Sequence, residues 1–392
     1  MLILKAFQFR LKPSPDIAQQ FSQIAGSCRF VFNKALGLHQ KGSKFSYTNS
    51  ANLLPSWKQQ EETKWLKEPP SQALQQSLKD LEQAFIRHKT GSGFPNFKKK
   101  GKKDSFRIPQ GFEIDQHNSR IFLPKIGFIR YYKHRNISGI PKNLTITRNL
   151  NSWDISIQTE QEVPDKIHKK LNNSIGLDLG VKNLLVSSEG TYIKPINSYQ
   201  RNETKVSRLN QVLAKKEKGS VRRTYVLSKL RQVYGKIRSI RKDFIHKLTT
   251  KLTKNHGTII VEDLNIQKML ETGSSSLNKG ILDQSFGEIK RQLKYKLLWA
   301  GGQLIEVNPA YTSQTCNVCG VVDANSRVTR DKFLCTACGN ESCADLNAAK
   351  NIKLKGSTFR RICDPLEPVV GQTMKRTKVR GKRIKCEPTF QI

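Results

Sequence analysis

Residues 173–186 read NSIGLDLGVKNLLV, and this stretch decides the fold because it has the pattern of two buried strands joined by a glycine turn. Asp178 closes the first of its two apolar runs. A further buried strand at residues 258–261 ends at Glu262, and the segment ADLNAAKNI starts a helix around Asp345. Buried strands that alternate with helices indicate an α/β fold, here with acidic side chains at the ends of its elements.

Each of these carboxylates has an ordinary structural explanation when it is taken alone, because aspartates favour turns and cap helices. Together, their oxygens suit a pair of Mg²⁺ ions, which support hydrolysis of a phosphodiester. We therefore predict that Asp178, Glu262 and Asp345 are catalytic. Asp263 is an alternative to Glu262, and the sequence does not choose between them.

Four of the eight cysteines have the spacing Cys-x2-Cys-x15-Cys-x2-Cys, with a glycine directly after each pair. This pattern is typical of a zinc ribbon, and four thiolates close the coordination of Zn²⁺, so its role is structural. Cys343 lies five residues further on and is a spare ligand candidate. The other cysteines are scattered, which predicts a reducing, cytoplasmic location without disulfides. The predicted zinc ligands are Cys316, Cys319, Cys335 and Cys338.

The net charge of the chain indicates the class of molecule that it binds. The chain has 69 Lys and Arg against 31 Asp and Glu, a formal net charge of +38, which favours nucleic acid over a small-molecule substrate. The alternative without enzymatic function is a ribosomal protein or a basic protein that binds nucleic acid nonspecifically. Against it, 392 residues with 36% hydrophobic content can bury the cores of two or three domains. Neither a membrane span nor a signal peptide is predicted.

The first half of the chain reads as a small β-rich body with helices inserted after its first strand. A strand at residues 7–11 precedes helices at 16–39 and 71–88, and the polar region 47–68 between them lacks clear periodicity. A basic loop at 94–104 leads into short strands, predicted at residues 106–108, 121–123, 126–132, 144–147 and 153–159.

In the second half, residues 201–256 are densely basic and keep helical apolar spacing, which predicts two helices in a hairpin. A charge run is usually a solvated face, so contact with phosphate and simple exposure to solvent both remain open. A helix at 285–299 and a strand at 302–307 follow. After residue 356 the chain is basic without periodicity, which predicts a disordered tail.

Four motifs in this order resemble a known family: GLDLGVKNL, IIVEDL, CNVCG…CTACG and DLNAAKNI. They are similar to the nuclease of TnpB, the transposon-encoded RNA-guided endonuclease related to type V CRISPR effectors. The N-terminal AFQFRLKPSP…CRFVFNKAL, the helical LQQSLKDLEQAF and the loop FPNFKKK are similar as well, so the resemblance covers about residues 1–355. It implies a guide RNA and target double-stranded DNA as partners, and cleavage next to a short target-adjacent motif.

The resemblance also implies a domain organisation. A RuvC-like (RNase H-like) nuclease domain would comprise residues 171–310 and 342–356, with an inserted zinc ribbon at 311–341. An N-terminal β-barrel wedge domain would comprise residues 1–14 and 94–170, with an inserted helical recognition domain at 15–93. Residues 357–392 would be the basic tail.

Carried over by position, the three carboxylates match the family's catalytic residues and the four cysteines its zinc ligands. The residues that read the target-adjacent motif would be Tyr47, Ser71 and Gln75, with Gln110 as a further candidate. Ser71 replaces a longer side chain common at that position, so the motif itself can differ. Cys343 and Ala344 stand where the family usually has Asp-Arg before the third carboxylate. The contact that this arginine makes in the family is therefore not expected here, whereas the assignment of Asp345 is unaffected.

The resulting prediction is an RNA-guided DNA endonuclease that uses two-metal hydrolysis. Two alternatives stay open, namely a DDE-type transposase, which also uses three acidic residues, and a catalytically inactive transposition accessory or RNA-binding regulator. Aromatic side chains in the basic N-terminal half are candidates for base stacking as well as for the core. They are Phe94, Phe97, Phe106, Tyr131 and Tyr132.

Overall fold

The computed structural model describes residues 2–39, 45–149, 152–163 and 168–363. Its backbone divides into two compact units, and the chain passes between them several times. The first unit comprises Met1–Lys169, Ile196–Lys254 and Gly287–Gly302. The second comprises Lys170–Pro195, Asn255–Phe286 and Gln303–Ile392.

The regular elements are numbered in chain order. The strands are β1 Leu2–Lys12, β2 Ser105–Ile108, β3 Glu113–Asp115, β4 Arg120–Leu123, β5 Gly127–Tyr131, β6 Ile140–Asn149, β7 Ser152–Glu162, β8 Ser174–Asp178, β9 Leu185–Ser187, β10 Tyr192–Ile193, β11 Thr258–Glu262, β12 Gln303–Val307, β13 Lys332–Leu334 and β14 Glu341–Cys343. The α-helices are α1 Pro15–Leu38, α2 Tyr47–Asn52, α3 Leu54–Gln59, α4 Ser71–Lys89, α5 Glu203–Ala214, α6 Val221–Asn255, α7 Ile266–Thr272, α8 Ser275–Gln284, α9 Phe286–Ala300 and α10 Ala344–Cys363. Short 3-10 helices span Glu61–Lys67, Gln200–Asn202 and Ala324–Ser326.

The first unit is built on a seven-stranded antiparallel sheet in the order β2-β6-β7-β1-β5-β4-β3. Its central strand β1 shows the predicted alternation, because Phe7, Phe9 and Leu11 are buried while the residues between them face outward. Phe106 and Tyr131 are buried in the same core, so of the two roles left open for them the structure shows the core. Both are needed for packing.

Helices α1 and α4 pack against each other in the first unit and confirm the two helices predicted there. Ser14 caps α1 by accepting a hydrogen bond from the backbone amide of Ile17 at 3.3 Å. The intervening region, predicted to lack periodic structure, instead forms α2, α3 and a 3-10 helix. Each of these has only one or two turns, which is too short for an apolar period to repeat.

The basic segment forms the predicted helical hairpin from α5 and α6. The two helices share a small core of Val206, Leu230, Val233 and Ile237. Arg223 closes the connection, because its guanidinium donates to the Leu213 carbonyl at 2.7 Å. Basic side chains are exposed along the hairpin, among them Lys215, Lys218, Arg222, Lys229, Arg231, Lys236, Arg238 and Lys242.

The second unit contains a five-stranded sheet in the order β10-β9-β8-β11-β12. Strands β8, β11 and β12 run parallel, whereas β9 and β10 are antiparallel to their neighbours. Helix α10 lies closely on this sheet, since a Cβ added at Gly176 would collide with the backbone of Ala349 and Lys353. At Gly356 a Cβ would lie 2.5 Å from the Ile260 side chain.

That close approach explains one wrong boundary. The disordered tail was predicted to begin at residue 357, but α10 continues to Cys363. Gly356 serves helix-to-sheet packing instead of ending the helix. The rest of the predicted tail, from residue 364 onward, lies outside the described residues.

Candidate functional site

The sheet of the second unit brings the three predicted carboxylates to one place. Asp178 and Glu262 are the last residues of the adjacent parallel strands β8 and β11, directly after the paired residues Leu177 and Val261. Asp345 lies in the first turn of α10. All three line a cavity of about 300 Å³ at this edge of the sheet.

Neutral side chains hold two of these carboxylates. The Thr312 hydroxyl donates to Glu262 Oε1 at 2.5 Å, and Asn183 Nδ2 donates to Asp345 Oδ2 at 3.1 Å. The sequence alone predicted neither contact. Each fixes the orientation of a carboxylate without neutralising its charge.

Burial and mutual repulsion disfavour ionisation in this cluster. Burial first, and then the charges of Glu262 and Asp345, raise the pKa of Asp178 to about 7, while Arg327 opposes the rise. Burial also raises the pKa of Glu262, against the Thr312 hydrogen bond and the charge of Lys355. A bound divalent cation would compensate the negative charges that burial disfavours here, and carboxylate oxygens are the donors that a hard cation prefers.

Arginines from the four-cysteine module reach the same cavity. Arg327 and Arg330 lie in the interval between the two cysteine pairs, and both line the cavity with the carboxylates. Lys182 pairs with Asp331 at 2.5 Å and ties this interval to the segment that follows β8. The sequence offered only a weak signal for these arginines, namely their place within the 15 residues between the cysteine pairs.

The structure separates the two acidic residues at the end of β11. Glu262 lines the cavity. Asp263 is exposed, does not line it, and uses its backbone amide to donate to the Val307 carbonyl at 2.9 Å. The alternation of side chains along a strand accounts for the difference, because adjacent residues point to opposite faces.

The four predicted cysteines converge on one point. Their sulfur atoms all lie within 4.8 Å of one another, and Cys343 is not in the group. Sγ–Sγ distances are 3.7 Å for Cys316 and Cys338, and 3.6 Å for Cys319 and Cys335. Tetrahedral zinc with bonds of about 2.3 Å requires about 3.8 Å between sulfurs. The cluster therefore fits a structural zinc ion.

Two equivalent turns present the sulfurs. In the first, the Gly320 amide donates to the Cys316 carbonyl at 3.0 Å; in the second, Gly339 donates to Cys335 at 3.0 Å. Both glycines have positive φ, 78° and 69°, which other residues adopt at a cost. The glycine after each cysteine pair is thus required by the backbone of the turn.

The predicted motif-reading residues fall into two places. Ser71 and Gln75 are exposed and one turn apart on α4, and Tyr47 lies beside this helix, with Lys79 Nζ 5.3 Å from its ring centroid. Gln110 instead lines a separate groove of about 440 Å³ that none of the other three lines. Three of the four candidates therefore belong to one surface.

Comparison with known proteins gives the same picture along the chain. A family described as "Probable transposase" matches residues 156–273, a "Cas12f1-like, TNB domain" matches 286–352, and a "Helix-turn-helix domain" matches 1–43. The protein "Putative RNA-guided DNA endonuclease InsQ" of Escherichia coli K12 is 43% identical over 99% of this chain and 98% of its own length. A "Putative RNA-guided DNA endonuclease" of Streptomyces pristinaespiralis is 27% identical over 93% of this chain and 92% of its own length.

Among solved structures, the "Cas12f1-sgRNA-target DNA complex" matches with a TM-score of 0.53 at 16% identity, over 90% of this chain and 99% of that one. Fold and cysteine module thus place the chain in the class of mixed α/β proteins that share the Cas12f architecture. The match to the E. coli protein, which extends over nearly the whole of both chains, identifies the family as well as the fold. The chain belongs to the TnpB family, also described as IS605 OrfB, and the resemblance noted in its motifs is confirmed.

Proposed function

We propose that this protein is an RNA-guided DNA endonuclease that cuts target DNA beside a short target-adjacent motif. The observation that carries the proposal is the cavity in which Asp178, Glu262 and Asp345 meet the guanidinium groups of Arg327 and Arg330. Metal-dependent phosphodiester hydrolysis requires carboxylates that bind metal cations and benefits from arginines that bind the phosphate, and this cavity contains both. The names of the E. coli and Streptomyces relatives agree with this activity.

Each side chain of the cavity has a role in this proposal. The three carboxylates would hold two Mg²⁺ ions, with Thr312 and Asn183 keeping two of them in position. When bound, magnesium supplies water activation and stabilisation of the leaving oxygen. Arg327 and Arg330 would bind the nonbridging oxygens of the scissile phosphate by charge-assisted hydrogen bonds.

The proposed domains follow the resemblance. Residues 171–310 and 342–356 would form the RuvC-like nuclease, 311–341 the zinc ribbon, 1–14 and 94–170 the wedge barrel, and 15–93 the helical recognition domain. The order of the five-stranded sheet, with parallel β8, β11 and β12 and antiparallel β9 and β10, supports an RNase H-like nuclease.

The proposed nucleic-acid partners are a guide RNA and a target duplex. Exposed lysines and arginines of the α5–α6 hairpin would hold the nucleic-acid backbone, while base pairing with the guide selects the sequence. Within the described residues, no helix is both long and apolar enough to cross a membrane. A site of action in the cytoplasm fits these partners.

The test begins with the RNA that copurifies with the expressed protein, which is sequenced to define the guide. A matching DNA target with randomised flanking bases is then incubated with the complex and Mg²⁺. Glu262→Gln should lower cleavage by orders of magnitude and leave nucleic-acid binding nearly intact, because it keeps size and removes charge. Asp178→Asn and Asp345→Asn should behave alike, and the triple variant should be no worse than one single variant.

Asp263→Asn is the matched control, because this neighbouring acid is exposed and does not line the cavity. Full cleavage by Glu262→Gln together with loss by Asp263→Asn would contradict the assignment of the site. Failure of the wild-type complex to cut any matched target would contradict the proposed activity itself.

The same assay separates the alternatives. A DDE-type transposase would join DNA ends to a new strand, so its products would be longer than either substrate. A catalytically inactive accessory protein would bind nucleic acid and leave the target whole in every variant. The endonuclease predicts shortened products that depend on guide sequence.

A further inference from the structure

A lysine on α3 is held against the first residue of α4. Lys58 Nζ donates to the Ser71 hydroxyl oxygen at 2.7 Å. Within the described ranges, no carboxylate pairs with Lys58. The nearby charge is a second cation, Lys125, whose own Nζ donates to the Lys67 carbonyl at 2.8 Å.

This position is electrostatically unfavourable for a cation. Burial, and then the charge of Lys125, lower the pKa of Lys58. Ser71 is the first residue of α4, and Pro70 before it makes no side-chain cap, so the ammonium also faces the positive end of a helix dipole. An ordinary surface lysine avoids these penalties, as Lys64 does by pairing with Glu61 at 3.0 Å.

An acceptor from outside the chain would offset these penalties. Ser71 accepts the hydrogen bond from Lys58, which leaves its own O–H free to donate. The two side chains therefore present neighbouring donors. In the major groove of DNA, guanine presents two neighbouring acceptors, N7 and O6, and lysine is one of the side chains that read them.

The exposed face of α4 fits such a groove. Ser71, Gln75 and Lys79 are exposed and follow one another at intervals of four residues. Four helical residues rise about 6 Å, close to two base-pair steps of about 3.4 Å each. A glutamine beside the lysine–serine pair is suited to adenine, the base that glutamine reads through N6 and N7.

We infer that Lys58 and Ser71 form one specificity-determining pair that reads a guanine in the duplex flanking the target. The inference rests on the proposed function and refines it. Ser71 was predicted as a reader in its own right; here it positions the Lys58 ammonium and adds a second donor. The shorter side chain at residue 71 is thereby compensated from α3.

The test uses the full protein with its guide RNA and a target library whose flanking bases are randomised. The wild type should require guanine at one flanking position. Lys58→Met should lose that preference by about tenfold or more, with other positions unchanged. Lys58→Arg should keep it because arginine also reads guanine, and Ser71→Ala should weaken it at the same position.

Lys64→Met is the matched control, because Lys64 is an exposed lysine nearby that already has an acidic partner. Thermal unfolding and guide-RNA binding are measured on every variant, and Ser71→Ala and Lys58→Arg carry the test if Lys58→Met does not fold. Wild-type base preference in Lys58→Met or in Ser71→Ala would overturn the inference. A uniform loss across all flanks would also overturn it, because it would show a phosphate contact. If the wild type cuts no target at all, the proposed function fails instead.

Discussion

Replacing Asp178 by Asn should stabilise the protein in magnesium-free buffer, even though it should abolish cleavage. Burial and the neighbouring Glu262 and Asp345 raise the pKa of this carboxyl from an ordinary 3.8 to about 7. The folded chain thus holds the proton more tightly than the unfolded chain does. The tighter binding of this proton stabilises the folded state fully below pH 3.8, and the stabilisation is lost as pH rises through about 7.

The size of the effect follows from the shift. About three pKa units at about 1.4 kcal/mol each give a penalty near 4 kcal/mol at pH 8. At pH 5 the penalty is about 2 kcal/mol, because only the unfolded chain is then largely ionised. Asparagine does not ionise, so the variant should escape the penalty at both pH values.

The assay is thermal unfolding at pH 5 and pH 8 without magnesium, with no chelator added so that zinc is retained. Asp178→Asn should melt above the wild type at pH 8, with the gap about halved at pH 5. Adding Mg²⁺ should narrow the gap by stabilising the wild type. Asp243→Asn is the control, since this exposed carboxylate pairs with Lys247 and should change stability by less than about 0.5 kcal/mol. Equal melting of Asp178→Asn and wild type at pH 8, or a gap that ignores pH, would refute the reasoning.

Three further predictions concern the zinc cluster, the charge and the cavity arginine. Cys316→Ser should lower the zinc content measured by elemental analysis and destabilise the module, because metal binding there contributes directly to folding; wild-type stability with full zinc would count against it. Nucleic-acid affinity should fall by about 10³ or more between about 50 and 200 mM salt if six or more phosphates are contacted, and a flat response in a filter-binding titration would disprove an electrostatic interface. Arg327→Met should lower cleavage and move the acid limb of the pH–rate profile to higher pH, because Arg327 holds down the pKa of Asp178; an unchanged profile would remove that coupling, and Lys332→Met, which loses only an exposed pair with Glu341, serves as the control.

Local patterns were enough for much of the fold. Residues close together in the sequence determine the alternation in β1, the helical spacing of α1 and α4, and the hairpin of α5 and α6. The structure shows all of these elements. The zinc cluster was equally accessible, because ligand spacing within each pair is a property of one turn. The four sulfurs accordingly lie where the spacing placed them.

Contacts between distant residues were not accessible in this way. Asn183 reaches Asp345 across 162 positions and Thr312 reaches Glu262 across 50, and nothing local signals either contact. The short helices α2 and α3 were missed because neither completes enough turns to repeat an apolar period. Whether Glu262 or Asp263 enters the cavity likewise depended on the strand register, which only the packed sheet reveals.

Helix α10 has a consequence for anyone who exchanges parts between relatives. It carries Asp345, and on the same helix Asn347 and Asn351 bind the start of the cysteine module. Asn351 Nδ2 donates to the Thr312 carbonyl at 2.9 Å, and Asn347 Oδ1 accepts from the Asn317 amide at 2.9 Å. The module is therefore not a free cassette bounded by its cysteines. A chimera cut at the last cysteine would separate these asparagines from the backbone they fit, whereas a graft that includes α10 as far as Asn351 would carry its own fastening with it.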